Sequence, residues 1–190
     1  ANAVDTTAGG TENTGLPDNV EHFDISWSAT HGKNIASTTE IWNVAAYGDA
    51  VDSTAVAIDD WSTATSTYIR IYTATSSAEV GASQRHSGVW DDSKYRLQIT
   101  TTLPDTPCIW IQENYTRIDG LQANISGSVT DTGYKAFWVY GTDEVRISNN
   151  IIKRGSVNTY SHDGITFEPS ASGGGDTSIT GYAWNNIFYN

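Results

Sequence analysis

The chain has 190 residues, 10 Lys+Arg against 22 Asp+Glu, a net charge of −12 and a pI of about 4.4, so it lacks the basic face that a nucleic-acid phosphate binder needs. Charged residues make up only 17% and hydrophobic ones 38%, with 17 glycines, which is the composition of a turn-rich β protein and not of a helical bundle. There is no methionine, so position 1 is not an initiator, and the chain is expected to be processed or part of a longer one. No apolar run approaches the roughly 20 residues that span a bilayer, and no basic segment leads into an apolar one; a soluble chain without a membrane span is expected.

The charge is uneven. Residues 1–60 hold ten acids against Lys33 alone, a net −9, whereas residues 61–190 carry a net −3. Residues 1–20 contain Gly9, Gly10 and Pro17 among many Thr, Asn and Asp, too few apolar groups to build a core. Residues 1–40 are therefore expected to form a polar acidic arm and lead-in, and residues 41–190 the folded body.

From residue 41 onward, short apolar stretches alternate with polar turns. Segments 41–47, 54–58, 68–72, 95–99, 108–111 and 136–140 are rich in β-branched and aromatic residues and predict strands. In 68–72 and 95–99 the polar residues Arg70, Arg96 and Gln98 fall between apolar neighbours, so one face is expected to be buried and the other wet. No stretch of helical period is long enough to predict a helix. Cys108, in the apolar run Pro107-Cys108-Ile109-Trp110-Ile111, is expected to be a buried, unreactive thiol.

The C-terminal half repeats itself. Arg117-Ile118-Asp119-Gly120-Leu121-Gln122 is followed by Arg146-Ile147-Ser148-Asn149-Asn150-Ile151-Ile152 and then by Ala183-Trp184-Asn185-Asn186-Ile187-Phe188, with further strands at 136–140 and 164–167 between them. Units of this spacing predict a solenoid, because no coil can bury its inner face without neighbours above and below. Asparagine tolerates the left-handed backbone region, and its amide both donates and accepts. Asn149 or Asn150 is expected directly beneath Asn185 or Asn186, as an amide ladder at a repeated corner.

The run Tyr115-Thr116-Arg117-Ile118-Asp119-Gly120-Leu121, leading into the Ile-Ser-Asn-Asn-Ile-Ile and Trp-Asn-Asn-Ile-Phe units, resembles the right-handed parallel β-helix repeat proteins of phage, bacterial and environmental sequences. Residues 52–61 and 85–97 are similar to the leader ahead of the repeats in some of them. The resemblance covers roughly residues 41–190 and implies an all-β, right-handed parallel β-helix with an irregular acidic N-terminal arm. It leaves function open, since the superfamily includes pectate-lyase-like enzymes, tailspikes, adhesins and structural proteins.

For catalysis, glycoside hydrolases require two carboxylates about 5–9.5 Å apart. The candidates here are His162 and Asp163 in Ser161-His162-Asp163-Gly164-Ile165, whose Asp-Gly-Ile resembles the first acidic motif of polygalacturonase-like β-helices. The Asp-Asp pair, Gly-His-Gly and Arg-Ile-Lys that the resemblance implies downstream do not follow Asp163 in this sequence. Asp59, Asp60, Asp91 and Asp92 are candidate oxygen ligands for calcium, without an EF-hand pattern. Four scattered histidines and one cysteine argue against a transition-metal site. Trp61, Trp90, Tyr134, Tyr160 and Tyr182 lie beside polar or Gly-rich turns and are candidate contacts to a glycan or another subunit.

The sequence is read as a non-catalytic structural subunit of an extracellular, cell-surface or virion-surface assembly: a fibre, spike or filament that self-associates through its arm or its open β-helix end. The alternative is a carbohydrate-binding β-helix protein, or an enzyme of the polysaccharide lyase or glycoside hydrolase type. The implied partners are further copies of the chain and surface glycans. No cofactor is expected beyond calcium.

Overall fold

In a computed structural model, the described residues are 34–190, except 38, 40, 49, 60, 81–82, 104, 128–132, 158–161, 170–178 and 190. The expected acidic arm thus falls, as far as residue 33, outside the described residues. The remainder winds into a right-handed parallel β-helix.

Among the described residues thirteen strands follow one another: β1 Trp42–Ala46, β2 Val56–Ile58, β3 Ile69–Thr73, β4 Leu97–Thr101, β5 Ile109–Ile111, β6 Thr116–Asp119, β7 Gln122–Gly127, β8 Tyr134–Tyr140, β9 Glu144–Ser148, β10 Ile151–Val157, β11 His162–Glu168, β12 Thr180–Trp184 and β13 Ile187–Tyr189. Sequential strands do not pair with each other. Each pairs in parallel with its counterpart one coil away, giving sheet 1 (β1-β3-β6-β9-β12), sheet 2 (β4-β7-β10-β13) and sheet 3 (β2-β5-β8-β11). Coil 1 contains β1 and β2, with Asp52 bridging to Leu97 in place of a sheet 2 strand. Coils 2, 3 and 4 each contribute one strand to every sheet, and coil 5 contributes β12 and β13. An Asn34–Ser62 bridge carries the stacking back to the corner before β1.

Period-two alternation explains the core. Every second residue of sheet 1 points inward, so Val44, Ile71, Ile118, Ile147 and Ala183 form one column, in register from coil to coil. In sheet 3, Ile58, Ile111, Val139 and Phe167 form another. Ile109, Ile111, Ile118, Ile125, Phe137 and Ile147 are almost fully buried, each burial contributing roughly 1.5–3 kcal/mol. Cys108 is buried as expected, and burial pushes its thiol well above the ordinary range.

One local difference from the sequence expectation has a clear cause. Tyr95 and Arg96 precede β4 and close a long insertion between β3 and β4, which also contains one helical turn, Ser77–Val80. Each repeat unit is a strand of sheet 1, a tight corner and the start of a strand of sheet 2, and the repeated asparagines stand at that corner, as expected.

Candidate functional site

The sheet 1 to sheet 2 corner is built on backbone geometry that glycine and asparagine tolerate. Gly120, Asn149 and Asn185 stand at the same corner position of coils 3, 4 and 5, with φ of 83°, 56° and 54°. One residue on, Asn150 Oδ1 accepts from the Leu121 N–H at 2.8 Å, and Asn186 Oδ1 accepts from the Asn150 backbone N–H at 3.1 Å. Asn150 Nδ2 also donates to Asn186 Oδ1 at 2.9 Å, and Asn186 Nδ2 donates to the Ile147 carbonyl at 2.9 Å. A second, outer row runs from Asn185 Nδ2 to Asn149 Oδ1 (3.4 Å) and from Asn149 Nδ2 to Asp119 Oδ1 (2.8 Å). The four asparagines are thereby brought together in two axial rows.

The outer face of sheet 1 carries the most concentrated charge pattern. Register aligns Asn43, Arg70, Arg117, Arg146 and Tyr182 in one column, so three arginines leave the backbone on successive coils, whose strands lie about 4.8 Å apart. Tyrosines interleave with them. The Arg117 guanidinium lies 3.3 Å over the Tyr68 ring, Arg70 lies 4.3 Å over Tyr72, and Arg146 lies 5.8 Å from the Tyr182 ring. Arg70 pairs with Asp119 at 2.7 Å and Arg146 with Glu144 at 2.8 Å. Among the described residues, no carboxylate lies within ion-pair distance of Arg117, whose pKa is lowered by desolvation and, further, by Arg146 and Arg70.

Asp119 anchors the edge of this face. One oxygen takes Arg70, and the other takes Arg85 at 2.9 Å and Asn149. Burial opposes its ionisation, yet these hydrogen bonds prevail and hold its carboxyl at about 2. The Arg85 guanidinium lies flat against Gly120, where any Cβ would overlap it.

Other residues singled out in the sequence are more dispersed. His162 opens β11, its Nε2 3.1 Å from the Ile125 carbonyl and its ring 5.9 Å from that of Tyr134. Asp163 is exposed and in register with Lys135, whose ammonium pairs with Asp105 at 2.9 Å. Tyr134 corrects the expectation of an exposed ring: it is 3% exposed, because it occupies an inward position at the start of β8. Trp61 packs edge-on against Trp42 with ring centroids 4.6 Å apart, and its backbone N–H donates to buried Glu113. Trp90 donates from Nε1 to Asp92 at 2.9 Å and lies beneath Lys153. Tyr182 is 48% exposed on β12, whereas Tyr160 lies outside the described residues.

The acidic pairs serve local turns. Asp91 Oδ1 accepts from the backbone and hydroxyl of Ser93, which lowers its pKa, and Asp92 faces Trp90 and Arg96. Asp59 is half-buried after β2, and Asp60 lies outside the described residues. Among the described residues, no three His, Cys, Asp or Glu side chains converge as a metal site, and no helix is long and apolar enough to cross a membrane. On sheet 3, Trp110 and Trp138 stack outward with centroids 5.4 Å apart, Trp138 donating to Glu168 at 3.0 Å.

Comparison with protein-family models, with curated proteins and with solved structures returned no match. The arginine column went unseen in the sequence because it requires knowing the coil lengths. A signal was nevertheless present, an Arg-Ile dipeptide at 70–71, 117–118 and 146–147.

Proposed function

We propose that this chain is the shaft of an extracellular, cell-surface or virion-surface β-helix protein, and that the outer face of sheet 1 binds an acidic glycan lying along the helix axis. The observation that carries this reading is the Arg70–Arg117–Arg146 column with its interleaved tyrosines, in a chain whose net charge is −12. Guanidinium groups recognise carboxylates and sulfates in bidentate fashion, and tyrosine rings offer apolar faces to sugar rings. A glycan with an anionic group on successive sugars would meet one arginine per coil. Arg117 is the anchor of this reading, since Arg70 and Arg146 already hold carboxylates.

Calorimetric titration with an oligouronate, a sulfated oligosaccharide and neutral dextran tests it. Binding to an anionic glycan that weakens with salt, and that R117A reduces by roughly 10–100-fold as expected for one charged hydrogen-bonding group, supports the reading. Equal binding of dextran, or an unchanged affinity of R117A, refutes it.

A second reading, a structural fibre or filament subunit, is favoured by the axial asparagine rows and the Trp110–Trp138 stack, which make each coil depend on the next. Light scattering after size exclusion separates the two: this reading expects concentration-dependent growth without glycan.

A further inference from the structure

The insertion between β3 and β4 returns along the sheet 1 to sheet 2 edge, and residues 83–96 bond to coils 1 to 4. Gln84 accepts from the Gly48 N–H of coil 1 at 2.9 Å, and Tyr95 donates to Asp52 of coil 1 at 3.1 Å. Arg85 donates to the Thr73 carbonyl of coil 2 and to Asp119 of coil 3. Asp91 and the buried Gln122 of coil 3 exchange two hydrogen bonds, at 2.6 and 2.8 Å. His86 Nε2 lies 2.8 Å from the Asn149 carbonyl of coil 4.

His86 is the contact whose chemistry changes near neutral pH. Its Nε2 faces a carbonyl and must carry a hydrogen, while its Nδ1 accepts from the Gly88 N–H at 3.2 Å. Only the neutral Nε2–H tautomer satisfies both partners. A proton on Nδ1 would set two donors against each other and place a cation beside Arg85.

We propose that residues 83–96 form a pH-sensitive strap, latched by neutral His86, that ties coils 1 to 4 together and loosens on mild acidification. The charged groups facing the ring are Arg85 on the strap and Asp119 on β6, itself held by Arg70 on β3. The corners beneath it, Asn149-Asn150 and Asn185-Asn186, are uncharged, and Lys153 on β10 faces Trp90. Desolvation lowers the His86 pKa, aided by Arg85 and opposed by the Asn149 carbonyl and Asp119. The neutral ring therefore favours the docked strap above the unperturbed histidine range, and docking weakens as pH falls through it. Nothing in this depends on glycan binding.

Amide hydrogen exchange at Gln84, Arg85 and Asp91, whose N–H groups donate from the strap to the Ala74 carbonyl and to Gln122, corrected for intrinsic rates, tests the proposal on the full chain between pH 8 and 5.5. The opening constant is expected to be flat above pH 7.5 and to rise up to about tenfold by pH 5.5, the limit for one proton on a group of pKa about 6.5. H86Q keeps an N–H for the Asn149 carbonyl without titrating, and should show no rise. A flat wild-type profile, or the same rise in H86Q, would overturn the proposal. D119N should keep the rise, since a carboxyl titrating near pH 2 contributes nothing in this window; a flat profile in D119N would overturn the assignment to His86.

Discussion

Replacing Asn150 with alanine probes the physics of the coil corner most sharply. Asn150 is fully buried, and its side chain accepts from the Leu121 N–H and donates to Asn186 Oδ1 and the Ile118 carbonyl. Truncation leaves the Leu121 N–H without its acceptor in a site closed to water, a cost of about 1–3 kcal/mol. Loss of the bond to Asn186 costs about 1 kcal/mol more, and a small cavity adds roughly as much, so a loss of about 3–5 kcal/mol is expected. For a chain of this length that corresponds to about 6–20 °C in Tm. Chemical denaturation followed by circular dichroism measures it, with N150D as the control that retains an acceptor for Leu121 but turns a carboxylate oxygen toward Asn186 Oδ1. Both variants should be destabilised, and a double-mutant cycle with N186A should give a coupling of at least about 0.5 kcal/mol. A loss below about 1 kcal/mol in N150A, or wild-type stability in N150D, would refute the ladder as a source of stability.

Two further perturbations follow from the same edge. Asp119 titrates at about 2 in the folded chain against an ordinary value of 3.8, so its contribution, of order 2 kcal/mol, is complete above pH 4 and is lost as pH falls to about 2; D119N should flatten that part of the stability profile. Gly120 combines a φ of 83° with the Arg85 guanidinium against its α-carbon. G120A should therefore cost about 2 kcal/mol or more from backbone strain and displacement of Arg85, measurable by denaturation, whereas G120A added to R85A should cost less than it does alone.

Where a local rule left a mark in the chain, the fold was legible. Left-handed corners demand Gly or Asn, and the Asn-Asn-Ile units at 149–151 and 185–187 stand at those corners. The alternation in 68–72 correctly set Arg70 outside and Ile69 and Ile71 inside. What sequence could not supply was register across unequal coils. Arg70 and Arg117 lie a long coil apart because the strap is inserted between them, and only the strand pairing brings them into one column. Tyr134 was misjudged for a related reason, since a neighbouring polar turn says nothing about the parity of a strand's first residue. The contacts of His86 with Asn149 and of Asp91 with Gln122, which dock the strap, were equally invisible, because they join residues far apart in the chain.

The claim that sheet 1 is a glycan-binding face is tested most directly by arginine footprinting with phenylglyoxal, read by mass spectrometry with and without an oligouronate. The account predicts that bound glycan slows modification of Arg117 most, and of Arg70 and Arg146 alongside it, while the exposed Arg154 on sheet 2 reacts at an unchanged rate. Unprotected arginines on sheet 1, or protection centred on Arg154, would contradict it.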